Sequence, residues 1–107
     1  MADVRELSVA FKALADPTRV RMVSLLLAAG PEGLCVCDIV VNFPLGQPTI
    51  SYHLRLLKES GLVSATKKGL WVHYRANPDR LSALGISLPV SPQAVSRSAC
   101  CDDIISE

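Results

Sequence analysis

Within QPTISYHLRLLKESGLV, residues 47 to 63, Ile50, Leu54 and Leu57 recur at i, i+4 and i+7 and predict one apolar stripe of a helix. Gln47, Thr49, Ser51, Tyr52, Arg55 and Lys58 fall mostly on its remaining faces. Gly46 suits the N-cap, Pro48 is tolerated in the first turn, and Gly61 stands where a left-handed C-cap belongs. Upstream, residues 4 to 15 predict a first helix with Leu7, Ala10, Phe11 and Leu14 on one face. Asp16-Pro17 ends it, and Asp16 can cap a second helix over residues 18 to 29, with Val20, Val23, Leu26 and Leu27 buried. Gly30-Pro31 stops that helix, and a short third one starts near Cys35 and covers residues 38 to 43. Downstream, residues 64 to 66 and 70 to 75 are β-rich runs joined by Lys67-Lys68-Gly69, a hairpin turn. Trp71, His73 and Arg75 alternate with Val72 and Tyr74, so one face of that strand is expected to pack inward. Asn77-Pro78 breaks the strand and residues 79 to 84 form a further helix.

Helix, short turn and helix is the helix-turn-helix unit, and a basic hairpin directly after it reads as a wing. The predicted fold class is therefore mainly α with a small β-hairpin, a winged helix-turn-helix. It occupies residues 1 to 88, and a Ser- and Pro-rich, cysteine-containing tail over 89 to 107 is expected to stay flexible until something binds it. A helix that shows water Gln, Thr, Ser, Tyr, Arg and Lys carries donors and acceptors that suit base edges and phosphates. An ordinary solvated face is the competing reading, and polarity alone favours it. The following hairpin shifts the balance.

Charge changes the picture further. The whole chain is only +1, too little for a general polycation. From Gln47 to Arg75, however, five basic residues (Arg55, Lys58, Lys67, Lys68, Arg75) face one acid, Glu59, whereas the rest holds six basic and nine acidic residues. Positive charge is thus concentrated where phosphates would be met. The candidate DNA-binding residues are Gln47, Thr49, Ser51, Tyr52, His53, Arg55, Lys67 and Lys68. His53 either helps contact DNA or packs under its helix, and His73 lies on the wing surface or at the core edge.

A length of 107 residues with 50% hydrophobic content bounds the chain to one domain with a core of its own. No stretch approaches a transmembrane span, and the amphipathic N-terminus is unlike a signal peptide, so a cytoplasmic protein without membrane partners is expected. Gly-rich phosphate loops, metal-hydrolase patterns and Ser-x-x-Lys are missing, which speaks against an enzyme. Cys-Val-Cys is also not the Cys-x-x-Cys of thiol oxidoreductases.

The four cysteines come as two close pairs, Cys35/Cys37 and Cys100/Cys101. In a reducing compartment such pairs suit ligands or redox sensors better than structural disulfides. Cys35 takes the N-cap position of the third helix, Cys37 its second position and Asp38 its third, so that Cys-x-x-Asp imitates a capping box. Helix N-termini lower a thiol's pKa and ease ionisation for soft-metal binding. On a regular helix i and i+2 project about 200° apart, so gathering both sulfurs on one ion would bend or unwind the first turn. That helix braces the polar-faced one. The bland alternative is two half-buried small residues at a cap. Adjacent Cys100 and Cys101 seldom close a strain-free disulfide with each other, and a soft pyramidal ion suits them better.

The order ALADPTRVRMVSLL, GLCVCDI, QPTISYHLRLLKESGLV and KKGLWVHYR resembles the ArsR/SmtB family of bacterial winged-helix repressors, over roughly residues 5 to 84. The resemblance implies a homodimer built on the first and last helices. It also implies repression through an imperfect inverted repeat in double-stranded DNA, relieved when a metal or metalloid binds. GLCVCDI is similar to the motif of arsenite-responsive members, in which a third cysteine follows three residues after the second. Val40 stands there instead. Some members carry a vicinal cysteine pair near the C-terminus for trivalent arsenicals, which makes Cys35, Cys37, Cys100 and Cys101 the candidate ligands, in one composite site or two. The Asp/His and His/Glu pairs of zinc-sensing relatives are absent from RLSALGISL. With four sulfur ligands, As(III) or Sb(III) is the expected inducer, Cd or Pb the alternative, and no obligatory cofactor is expected. Two other readings stay open: a repressor whose signal is thiol oxidation or persulfide, and a soft-metal buffer with no DNA role.

Overall fold

The computed structural model describes residues 4–86 and Leu88. The tail from residue 89, with Cys100 and Cys101, lies outside the described residues, and so does the boundary expected after residue 88. In chain order the elements are α1 (Val4–Ala13), α2 (Pro17–Ala29), β1 (Leu34–Cys35), α3 (Val36–Val40), α4 (Gln47–Glu59), β2 (Val63–Lys68), β3 (Trp71–Ala76) and α5 (Pro78–Ala83). This is the expected winged helix-turn-helix.

Asp16 starts α2 as anticipated: its carboxylate accepts from the Thr18 amide at 2.8 Å and the Arg19 amide at 3.3 Å, while Pro17 fills the first turn. Gly46 caps α4 in extended conformation, and Ile50, Leu54 and Leu57 are sealed from solvent. Full burial of each such side chain contributes roughly 1.5–3 kcal/mol, so these three hold α4 to the core. Their partners include Met22, Val23 and Leu26 of α2, Leu34, Ile39, Leu62 and Val63.

Two helical faces differ from expectation. In α1 the buried residues are Ala10 and Ala13, while Phe11 is 49% and Val4 77% exposed. Large apolar residues thus line one side of α1 and small ones the other, and it is the small side that reaches the core. In α2 the buried set is Met22, Val23, Leu25 and Leu26, with Val20 and Leu27 half-buried. An apolar run such as Leu25-Leu26-Leu27 carries too little periodic contrast to fix the helix rotation.

The sheet is larger than a hairpin. Its strand order is β1-β3-β2, all antiparallel, with Leu34 opposite Tyr74 and Cys35 opposite His73. Gly33 makes this pairing possible: a Cβ there would overlap the Tyr74 carbonyl oxygen, and its φ is +71°. The hairpin itself runs longer than expected. Lys67 and Lys68 belong to β2, paired with Val72 and Trp71, and the turn shrinks to Gly69-Leu70. Gly69 has φ +63° and Leu70 does not share the positive φ, the pattern of a type II′ turn. Asn77 ties the wing's base to the end of α4, donating from Nδ2 to the Gly61 carbonyl at 2.7 Å and accepting at Oδ1 from the Ser64 hydroxyl at 3.0 Å. β3 does not alternate cleanly: His73, 9% exposed, sits at the core edge and not on the wing surface, between Cys35 of β1 and Thr66 of β2.

Candidate nucleic-acid interface and thiol pair

The exposed side of α4 is built by the same stripe that fixes its buried side. With Ile50, Leu54 and Leu57 inward, Gln47, Ser51 and Arg55 follow one another at four-residue intervals on the outside. Gln47, Thr49, Ser51, Tyr52 and Arg55 are all exposed, as are Lys67 and Lys68 on β2. The Arg55 guanidinium stands 5.4 Å from the Tyr52 ring centroid, a cation–π contact that orders it without masking its donors. Leu70, at the hairpin turn beside the two lysines, is 84% exposed.

His53 is placed differently from its seven companions. It is half-buried, and its Nδ1 lies 3.2 Å from the Arg19 guanidinium of α2. Arg19 also donates from Nε to the Ala13 carbonyl at 2.6 Å, at the end of α1, and sits 3.9 Å from the Asp16 carboxylate. Burial pushes the Asp16 carboxyl upward, but the amides of Thr18 and Arg19 and the charge of Arg19 outweigh it and hold it below the usual 3.8. Apart from Asp16, three positions back, the partners of Arg19 lie six and thirty-four positions away, which local spacing does not show.

The thiol pair falls at the joint between β1 and α3. Cys35 is the N-cap of α3, with extended backbone (φ −76°, ψ 166°), and is at the same time the last residue of β1. Its side chain makes no capping hydrogen bond, so it does not act as the cap of a capping box. Cys35 is sealed from solvent, Cys37 is half-buried and Asp38 is buried. Cys37 is not in a disulfide. Opposite residues of an antiparallel pair project on the same side, so Cys35, His73 and Thr66 form one row across the sheet. The Nδ1 of His73 is buried without a hydrogen-bond partner. Among the described residues no three His, Cys, Asp or Glu side chains stand together closely enough to hold a metal. Cys35 and Cys37 bring two sulfurs to this joint, and a third sulfur ligand for a soft ion would have to come from Cys100 or Cys101.

The exposed polar helix after a short turn, the basic two-stranded wing and the small sheet behind them define a winged helix-turn-helix regulator. Comparison with known proteins makes the assignment narrower. Residues 16–65 match the bacterial regulatory protein, arsR family. The chain is 39% identical over 87 residues to the arsenic resistance transcriptional regulator ArsR2 of Pseudomonas putida, covering 81% of this chain and 74% of that protein. It is 53% identical over 68 residues to the arsenical resistance operon repressor of Escherichia coli, covering 64% of this chain. The chain spans only 56% of the length of that repressor. A solution structure of the homodimeric winged helix-turn-helix domain of Mb0332 from Mycobacterium bovis, a possible ArsR-family regulator, superposes with a TM-score of 0.67. It is 28% identical, and the match covers 79% of this chain and 84% of that one. The protein belongs to the ArsR family of bacterial regulators. These relatives are transcriptional regulators and not enzymes. No helix of the described residues is long and apolar enough to cross a membrane.

Proposed function

We propose that the protein is a dimeric transcriptional repressor that binds an inverted-repeat operator and leaves it when As(III) or Sb(III) is gathered by cysteine thiolates. The observation that carries the reading is a junction. Two cysteines sit at the β1–α3 boundary, and α3 leads through a six-residue turn into α4, whose outward face is polar and basic. In this reading Arg55, Gln47, Thr49, Ser51 and Tyr52 meet the major groove, and Lys67 and Lys68 meet phosphates beside it. Cys35 is extended and Cys37 lies in the first turn of α3, so an ion that draws both sulfurs together acts directly on that turn. The displacement has two outlets. One runs through α3 to α4, and the other runs through the Cys35–His73 pairing into β3 and the wing.

Dimerisation through α1 fits the same reading. Val4 and Phe11 recur seven positions apart and are exposed, with Leu7 and Leu14 half-buried between and beyond them. A second copy would cover this stripe. The E. coli and P. putida relatives are regulators of arsenic resistance, which supports a trivalent arsenical as the inducer; thiolate-rich sites also suit Cd and Pb.

One observation favours a second reading. Cys35 and Cys37 stand two positions apart at the N-terminus of α3, where thiols ionise more easily, so a signal of thiol oxidation acting through the same joint is also supported. A single titration separates the two. Reduced protein bound to a fluorescent operator duplex is titrated with arsenite, then independently with hydrogen peroxide, following anisotropy. Release by arsenite supports the metalloid reading. Release by peroxide alone replaces it with the redox reading, and release by neither overturns both.

A further inference from the structure

Arg19 occupies an unusual place for a cation. It lies in the first turn of α2, where the positive end of the helix dipole disfavours it, yet only 14% of its side chain is exposed. The guanidinium reaches away from its own helix. Nε donates at 2.6 Å to the carbonyl of Ala13, the last residue of α1, where the dipole of that helix favours a cation. Its Nη1 then meets His53 Nδ1 at 3.2 Å, in the middle of α4. One side chain therefore joins three helices.

The chemistry of the contact fixes the histidine. A guanidinium has donors and no acceptor, so Nδ1 has to accept with its lone pair, and the neutral imidazole carries its proton on Nε2. Asp16 steadies the other side of the guanidinium at 3.9 Å. Lys12 of α1 and Glu59 of α4 line the cleft that Arg19 and Tyr52 also line, and neither is hydrogen-bonded to the guanidinium. We propose that Arg19 is a positioning residue: it locks His53 in the Nε2–H tautomer and through it sets the pose of α4 against the corner between α1 and α2. The inference rests on the reading of α4 as the DNA-reading helix. It removes His53 from the base-contacting set and gives it a structural partner in place of a base. Because the corner includes α1, the same contact relates the reading helix to the proposed dimer face.

The test has two arms on the full chain. In the first, nitrogen-15 NMR of the imidazole in the DNA-free protein reads the tautomer directly. A protonated Nε2 and bare Nδ1 at His53 are expected, with the preference lost in Arg19→Met. A protonated Nδ1 in the unaltered protein overturns the proposal, whatever the protein does with DNA. In the second arm, a duplex is selected by the unaltered protein from a random-sequence pool, and the variants are measured on it and on unselected DNA. Arg19→Met and His53→Leu are each expected to weaken binding to the selected duplex by about tenfold, the worth of a hydrogen bond to a charged group. The double variant falls no further, because one contact is lost in both. His53→Asn keeps an acceptor near the Nδ1 position and is expected to retain affinity within about threefold. Binding to unselected DNA and its salt slope stay unchanged, since no phosphate contact is removed. A slope reduced by about one unit in Arg19→Met would make Arg19 a phosphate ligand and overturn the proposal. Additive losses in the double variant, or full affinity in both single variants, overturn it as well. Should Arg19→Met fail to fold, the contrast between His53→Leu and His53→Asn decides. Failure to select any duplex speaks against the DNA reading itself and leaves the first arm standing.

Discussion

The two consecutive helices α3 and α4 are held in opposite ways. α4 has thirteen residues and three sealed anchors, so its orientation is set by burial. α3 has five residues and sealed anchors only in Ile39 and the buried Asp38, and it hangs from a two-residue strand at its N-terminus. A single turn contributes little helical stability by itself, because nucleation is unfavourable and few backbone bonds follow. The difference separates the tasks. The stiff element can present a constant surface, and the short one can change shape at modest cost and carry that change to its neighbour. Cysteines placed in α4 would have nothing soft to pull on.

The largest effect should come from breaking the stiff side of this contrast. Leu54→Ala is expected to lower stability by about 2–5 kcal/mol, whereas Val36→Ala on half-buried α3 should lose well under 2 kcal/mol. Thermal or urea unfolding of both variants measures the gap, and equal losses would remove the distinction between the helices.

The soft side is sharpened by its thiols. In reduced protein, Cys35→Ser and Cys37→Ser should each bind operator normally and fail to release with arsenite. Cys35→Ser should also lose about 1–3 kcal/mol of stability, because it puts a hydroxyl at a site with no exposure. Cys37 is half-buried, and its serine variant should unfold close to the unaltered protein. Operator anisotropy beside a melting curve reports both quantities.

On the surface of α4 and the wing, Arg55→Ala and Gln47→Ala are expected to weaken operator binding by about 1–3 kcal/mol each, the second with relaxed base preference. Lys67→Ala and Lys68→Ala should each reduce the salt slope by about one unit on any sequence. An unchanged slope in both would mean that the wing does not reach phosphate.

The smallest effect lies at the α2 cap, away from both helices. Asp16→Ala should lose about 1 kcal/mol. The folded-state pKa of Asp16 is lowered, so its contribution is complete above the ordinary carboxylate value of 3.8 and disappears as pH falls through the lower folded value. The stability difference between Asp16 and Asp16→Ala proteins should therefore close below pH 3.8, and a difference that widens in acid would reverse the assigned sign.

How much of this was legible in the residues follows from how each element is specified. α4 could be read almost to its ends, because Ile50, Leu54 and Leu57 contrast with polar neighbours and Gly46 and Gly61 mark both limits. The face of α1 could not, since Val4, Leu7, Ala10, Phe11 and Ala13 leave apolar residues on both sides and only tertiary packing chooses between them. β1 is two residues long and shows no period at all; its one local sign is Gly33, whose need for a bare Cα arises from the distant Tyr74 carbonyl. Of the candidate DNA residues, seven are exposed as a contact surface requires, and His53 meets Arg19, a partner thirty-four positions away that local pattern cannot announce.

The most direct test of the central claim, that Cys35 and Cys37 at the β1–α3 joint drive release, removes the other two thiols. A reduced chain ending at Ser98, without Cys100 and Cys101, is bound to operator and titrated with arsenite while anisotropy is followed. The account predicts normal operator affinity and release that persists, though at higher arsenite, because strain at the joint and not the number of sulfurs supplies the preference for the unbound shape. A shortened chain that binds operator normally and stays bound at saturating arsenite would contradict it and make the tail the sensor.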